Sequence, residues 1–175
     1  MKKFKIFLMS FIMVMCTLGI STSAYASTES KGKAIIPFFY QGQSCWTGYY
    51  VSNITDKPID VIVTLYDSNG SMIIDDGNAN TGRIRMSEFL GIVPQSYNDK
   101  NADSTITFSI NPHSSTYFKM DITNSTYFGY GDILWRQSGS ITQGLVCTGV
   151  SWQYNKDNPA LHERMPIDIN SGLPF

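Results

Sequence analysis

Apolar and polar residues alternate in twos along most of this chain, and the three-to-four spacing of an amphipathic helix is nearly absent. Ser104 to Ile110 sets Ile106, Phe108 and Ile110 on one face and Thr105, Thr107 and Ser109 on the other. Tyr117 to Ile122 repeats the device, with Phe118, Met120 and Ile122 opposite Tyr117, Lys119 and Asp121. The turn formers Asn111-Pro112-His113-Ser114 link the two, which predicts half-buried strands lying side by side. Ile59 to Asp67 differs, because Ile62 and Tyr66 make its second face apolar as well; a strand covered on both sides and central to a sheet is expected. It ends in Asp67-Ser68-Asn69-Gly70, where Asn-Gly supplies the positive φ angles of a tight hairpin, with Ser71 to Asp75 returning.

Further strands are predicted over Cys45 to Ile54, Tyr127 to Arg136 and Leu145 to Tyr154, all rich in aromatic and β-branched residues. Ala34 to Tyr40 makes a first strand that Pro37 confines to an edge or a bulge, and Ile167 with Ile169 marks a last edge strand. Met86 to Val93 alone has helical spacing, and a short helix or an irregular crossover would satisfy it equally. About eight or nine strands at this spacing predict an all-β fold, an antiparallel β-sandwich of immunoglobulin-like or jelly-roll-like form, with at most a short helix.

Three runs carry a resemblance: SCWTGYYVSNITDKPIDVIVTLYDSNG from Ser44, TFSINPHSST from Thr107 and GYGDILW from Gly129. Together they resemble uncharacterised immunoglobulin-like sandwich domains of secreted bacterial proteins. Those domains often pair a Trp-Thr strand closed by Asn with a Tyr-Asp-x-x-Gly hairpin and a later strand with Gly, then Tyr or Trp, then Gly or Ala. The resemblance implies a sandwich and an export route. It implies no activity.

The N-terminus agrees with export. Lys2, Lys3 and Lys5 precede an uncharged, mostly apolar run from Ile6 to Ile20, and Ala24-Tyr25-Ala26 places small residues where a signal peptidase needs them. Residues 1–26 are expected to be a signal peptide of bacterial type, cut before Ser27; the apolar run is shorter than the roughly 20 residues of a spanning helix. Met15 before Cys16 argues against a lipoprotein cut. A short polar leader, 27–33, then precedes a single domain over 34–175. The expected location is secreted, extracellular or associated with the cell envelope.

Charge narrows the partners. The mature chain carries 10 basic and 14 acidic residues, a net charge of −4, with no basic run. Nucleic acid is not expected as a partner, nor is a membrane after cleavage. Cys45 and Cys147 remain, and in an oxidising compartment such a pair is most simply a disulfide. It would close a loop of about 100 residues and stabilise by roughly 4 to 5 kcal/mol in chain-entropy models; two buried free thiols are the alternative.

No catalytic constellation emerges, so the chain is not expected to be an enzyme. His113 and His162 are the sole histidines, and no GxSxG elbow surrounds a serine. His162-Glu163 begins like HExxH, but Pro166 would break the helix that motif requires. Asp75, Asp76, Asn78 and Asn80 form an oxygen-rich cluster lacking the spacing of an EF-hand; a solvated turn is the preferred reading and a metal site the alternative. No cofactor is expected.

Aromatic residues are the informative excess, with three Trp, nine Tyr and seven Phe after residue 26. Many must fill the core. Adjacent pairs such as Tyr49-Tyr50 must nevertheless point to opposite faces. Trp46, Tyr50, Tyr130, Trp135 and Trp152 are therefore the candidate contact residues. The expected function is a non-enzymatic binding or structural protein at the cell surface or in the extracellular matrix. Its partner would be a protein or polysaccharide there, or a second copy. A carbohydrate-binding module is the alternative, supported by a planar row of aromatics with amides beside it, and a small secreted hydrolase comes third.

Overall fold

Period-two alternation leaves each strand one apolar face, and two sheets bury those faces against each other. The structure, a computed structural model, describes residues 28–42, 44–73, 105–119, 126–154 and 162–175. In chain order the strands are β1 (Glu29–Gln41), β2 (Cys45–Asn53), β3 (Ile59–Asp67), β4 (Ile106–Ile110), β5 (Ser115–Lys119), β6 (Tyr127–Ser138), β7 (Leu145–Tyr154) and β8 (His162–Asp168). They form two four-stranded antiparallel sheets, ordered β1-β6-β3-β4 and β5-β2-β7-β8. The chain threads them differently from a constant-type immunoglobulin domain, whose sheets join the first, second, fifth and fourth strands and the third, sixth and seventh.

Alternate residues of both sheets meet in one core that includes Ile36, Phe39, Tyr49, Val63, Phe108, Phe118, Ile133 and Trp135. Phe108 of the first sheet and Phe118 of the second approach across it at 6.4 Å between ring centroids. The Tyr49 hydroxyl, carried into this apolar layer, donates to the Phe38 carbonyl at 2.7 Å and so keeps its hydrogen bond. One end of the sandwich is closed by a polar plug. The Asn53 amide donates to the carbonyls of Lys57 (2.7 Å), Ile110 (3.2 Å) and Asn111 (3.1 Å), and its oxygen accepts from the Thr55 backbone and hydroxyl. Gln137 joins it through Thr55 and the Lys57 carbonyl.

Several expectations change. The leader is partly strand: Glu29 to Lys33 pairs with Ser138 to Leu134, and Ser30 holds the turn beyond β6 by donating to the Gly139 carbonyl. These residues look like linker because their side chains line an edge strand and a solvent face. Pro37 does sit on an edge strand, within a register shift between Ile36 and Phe39. Strands β4 and β5 are not neighbours; Asn111 to Ser114 carries the chain across the core from one sheet to the other. Alternation specifies a buried face for each strand but not which strand lies beside it.

β3 is central in its sheet, but Ile62 and Tyr66 on its outer face are only half-buried rather than covered. Its turn is looser than a two-residue hairpin. Gly70 N–H donates to the Asp67 carbonyl, Gly70 alone of the turn takes positive φ (80°), and among the described residues the return is the bridge from Met72 to Tyr66. The signal peptide with Cys16, the oxygen-rich cluster Asp75, Asp76, Asn78 and Asn80, and the stretch 86–93 lie outside the described residues.

The expected disulfide is not formed: Cys45 and Cys147 are free. Strands β2 and β7 are paired, and their register sets Cys147 opposite Val51 and Cys45 opposite Gln153. Six positions of strand separate the cysteines, roughly 20 Å at about 3.3 Å per residue. A disulfide needs Cα atoms within about 7 Å. Burial pushes the Cys147 thiol up to about 12, and also raises that of half-buried Cys45.

Candidate functional site

The outer face of the second sheet gathers aromatic side chains from three strands. On β2, Thr47, Tyr49 and Val51 turn into the core, which leaves Trp46, Gly48 and Tyr50 on the outer face. Across the β2–β7 pair, Trp46 stands directly opposite Trp152, and their rings stack with centroids 3.9 Å apart and planes 19° from parallel. Tyr50 lies opposite Tyr117 of β5, with centroids at 4.8 Å. Tyr117 also meets Trp46 edge to face, at 6.5 Å and 83°.

Gly48 makes this continuity possible. The Tyr117 ring lies over the bare backbone of Gly48, where an added Cβ would come within 2.2 Å of its hydroxyl oxygen. Any side chain at residue 48 would lift that ring away from Trp46. The result is an unbroken aromatic band from Tyr50 through Tyr117 and Trp46 to Trp152, and exposed Tyr154 extends it along β7.

Two cations flank the band. The Lys119 ammonium sits 5.5 Å from the Trp46 ring centroid, close enough for the ring quadrupole to attract it. Arg164 is the cross-strand partner of Trp152 on β8, so it shares that face and is exposed there. Chemically the band offers flat apolar area, indole N–H donors and two positive charges.

The five candidate contact residues divide three ways. Trp46, Tyr50 and Trp152 come together in this band. Tyr130 stacks on Tyr66 at 5.0 Å on the outer face of the other sheet, beside exposed Phe128. Trp135 is a correction: it is 0 % exposed and packs between the sheets, its indole lying against Gly32 and Gly144. It occupies an odd position of β6, where alternation turns it inward, and Leu134 takes the outer place. Tyr117, Lys119, Tyr154 and Arg164 were not among the candidates. The alternation over Tyr117 to Ile122 already set Tyr117 and Lys119 on the polar face, but not beside Trp46.

Other features are less organised. A cleft of about 670 Å³ on the first sheet is lined by Glu29, Lys57, Asp60 and Arg136 among others, and contains none of the five candidates. His113 lies exposed in the turn between β4 and β5 with φ 50°, and Glu163 of the failed HExxH belongs to a strand. Among the described residues, no group of three His, Cys, Asp or Glu side chains is placed to hold a metal ion.

No family model matches the chain, and no curated protein matches it either. Among solved structures, the crystal structure of Thermotoga maritima 1070 aligns over 77 % of this chain and 88 % of that one, at 10 % identity and a TM-score of 0.44. A likeness that loose bears on neither family nor function.

Proposed function

We propose that this chain is a secreted, non-enzymatic binding or structural protein of the cell surface or extracellular matrix, and that the aromatic face of its second sheet makes the contact. The observation that carries this is the band itself. Trp46, Trp152, Tyr117 and Tyr50 lie on the solvent side of a sheet whose opposite side already fills the core. Large aromatic side chains contribute most of the energy of protein contacts when a partner desolvates them. A protein partner suits the ring geometry better than a glycan. Trp46 and Trp152 spend one face each on the other instead of lying side by side as a flat platform, and the described outer positions of this sheet hold no Asn or Gln.

Export and binding are tested together. A full-length chain expressed in a bacterial secretion host should be recovered from the medium with Ser27 at its N-terminus. That material should co-sediment saturably with cell-envelope or matrix fractions, and Tyr50→Ala or Trp152→Ala should weaken the association without altering the circular dichroism of the fold. Retention in the cytoplasm would refute the location. Association unchanged by either substitution would refute the face.

A further inference from the structure

We infer that the outer face of the second sheet docks an acidic, extended segment of a partner protein across the row Lys119, Trp46, Trp152 and Arg164. This rests on the reading of that face as the contact surface and names the chemistry it selects.

The charges point there first. Lys119 and Arg164 come from β5 and β8, the two outer strands of the sheet, and bracket the indole pair between them. Neither has a carboxylate partner among the described residues. Among the described residues the acid of the same face is Asp168, four residues from Arg164 on β8 and opposite Thr148, outside the row. Two cations without a carboxylate partner among the described residues, on a chain with a mature charge of −4, make a local positive site, and such a site attracts acidic groups and suppresses other partners.

Hydrogen-bonding capacity agrees. An indole nitrogen, an ammonium and a guanidinium are donors only. Every side-chain polar group in the row therefore donates, and the complement is an acceptor, best an ionised carboxylate. Spacing favours an extended peptide. Lys119 stands opposite Gly48, two residues along from Trp46, so three inter-strand steps of about 4.8 Å and this offset set the Lys119 and Arg164 backbones roughly 16 Å apart. Carboxylates four residues apart on an extended chain span about 13 Å, a difference the long Lys and Arg side chains cover by leaning inward. A polyanionic glycan would meet the same charges, but the Trp46–Trp152 stack sets the indoles face to face and not as the side-by-side platform on which a sugar ring lies.

The test uses the full mature chain and a labelled peptide of about ten residues with two Glu four apart, its Gln counterpart, and polygalacturonate as a glycan polyanion. Fluorescence anisotropy should show saturable binding of the Glu peptide that weakens with salt. Affinity should fall by about tenfold or more for Lys119→Glu and for Arg164→Glu, while Lys31→Glu on the other sheet leaves it unchanged. Should a charge reversal unfold the protein, Lys119→Met and Arg164→Gln give the same reading with a smaller loss. Equal binding of the Glu and Gln peptides, both abolished by Trp152→Ala, would overturn the acidic specificity and leave the face intact. Binding of neither peptide, or tighter binding of polygalacturonate, would overturn the proposal.

Discussion

Trp46 and Trp152 stand opposite each other across the β2–β7 pair with ring centroids 3.9 Å apart, and this one contact joins the aromatic residues of β2 and β5 to those of β7. Stacked cross-strand aromatics add about 0.5–1.5 kcal/mol beyond the area they bury. A double-mutant cycle of Trp46→Ala and Trp152→Ala, read by urea unfolding, should return a coupling energy in that range. A value near zero would mean that the rings do not stack in solution.

Gly48→Ala should cost about 1–3 kcal/mol, because the new methyl group and the Tyr117 ring need the same space. In a Tyr117→Ala background most of that cost should vanish. An equal penalty in both backgrounds would place the cause in the backbone at residue 48 and not in the ring above it.

Asn53 is 2 % exposed, and its amide ties β2, the loop that follows, and the end of β4 together. Asn53→Ala leaves several buried carbonyl and N–H groups without partners, so a loss of about 2–4 kcal/mol is expected in chemical denaturation. Asn53→Asp should be no better, since a carboxylate cannot donate to the three carbonyls that the amide now serves. A loss below about 0.5 kcal/mol would show that water replaces the plug without penalty.

The two thiols should differ in alkylation. Cys45 should react with iodoacetamide in the native protein, and Cys147 only on unfolding, because Cys147 is buried and its thiol is held protonated up to about pH 12. Equal native rates would contradict the placement of β7. The same burial sets a pH dependence. Between the ordinary thiol value of 9.0 and about 12, the unfolded chain loses the Cys147 proton while the folded chain keeps it. Unfolding is then favoured, and stability should fall by about 1 kcal/mol per pH unit across that window and be unaffected by this group below it. Cys147→Ala should flatten the decline without abolishing it, because burial also pushes the Tyr49 hydroxyl well above its ordinary value.

The sequence alone, through its period of two, determined the fold class, the bounds of several strands and the inward faces of β3, β4 and β5. Ile59–Asp67 and Leu145–Tyr154 were legible to the residue, and Pro37 was rightly assigned to an edge or bulge. Alternation is a local property, set by which side of a pleat each residue occupies, so a single strand suffices to show it. Which strand lies beside which is not local. Only the tertiary structure separated β4 from β5, held the two cysteines six positions apart on adjacent strands, and drew Glu29 to Lys33 into β1. The candidate face divided in the same way. Trp46 and Tyr50 follow from the pattern of β2, but Trp152 stacks on Trp46, Tyr117 lies over Gly48 and Arg164 joins the row through pairings between strands far apart in the chain. Such pairings are decided by how two whole sheets pack their inner faces, where Trp135 proved to be core, and that balance cannot be read from any one segment.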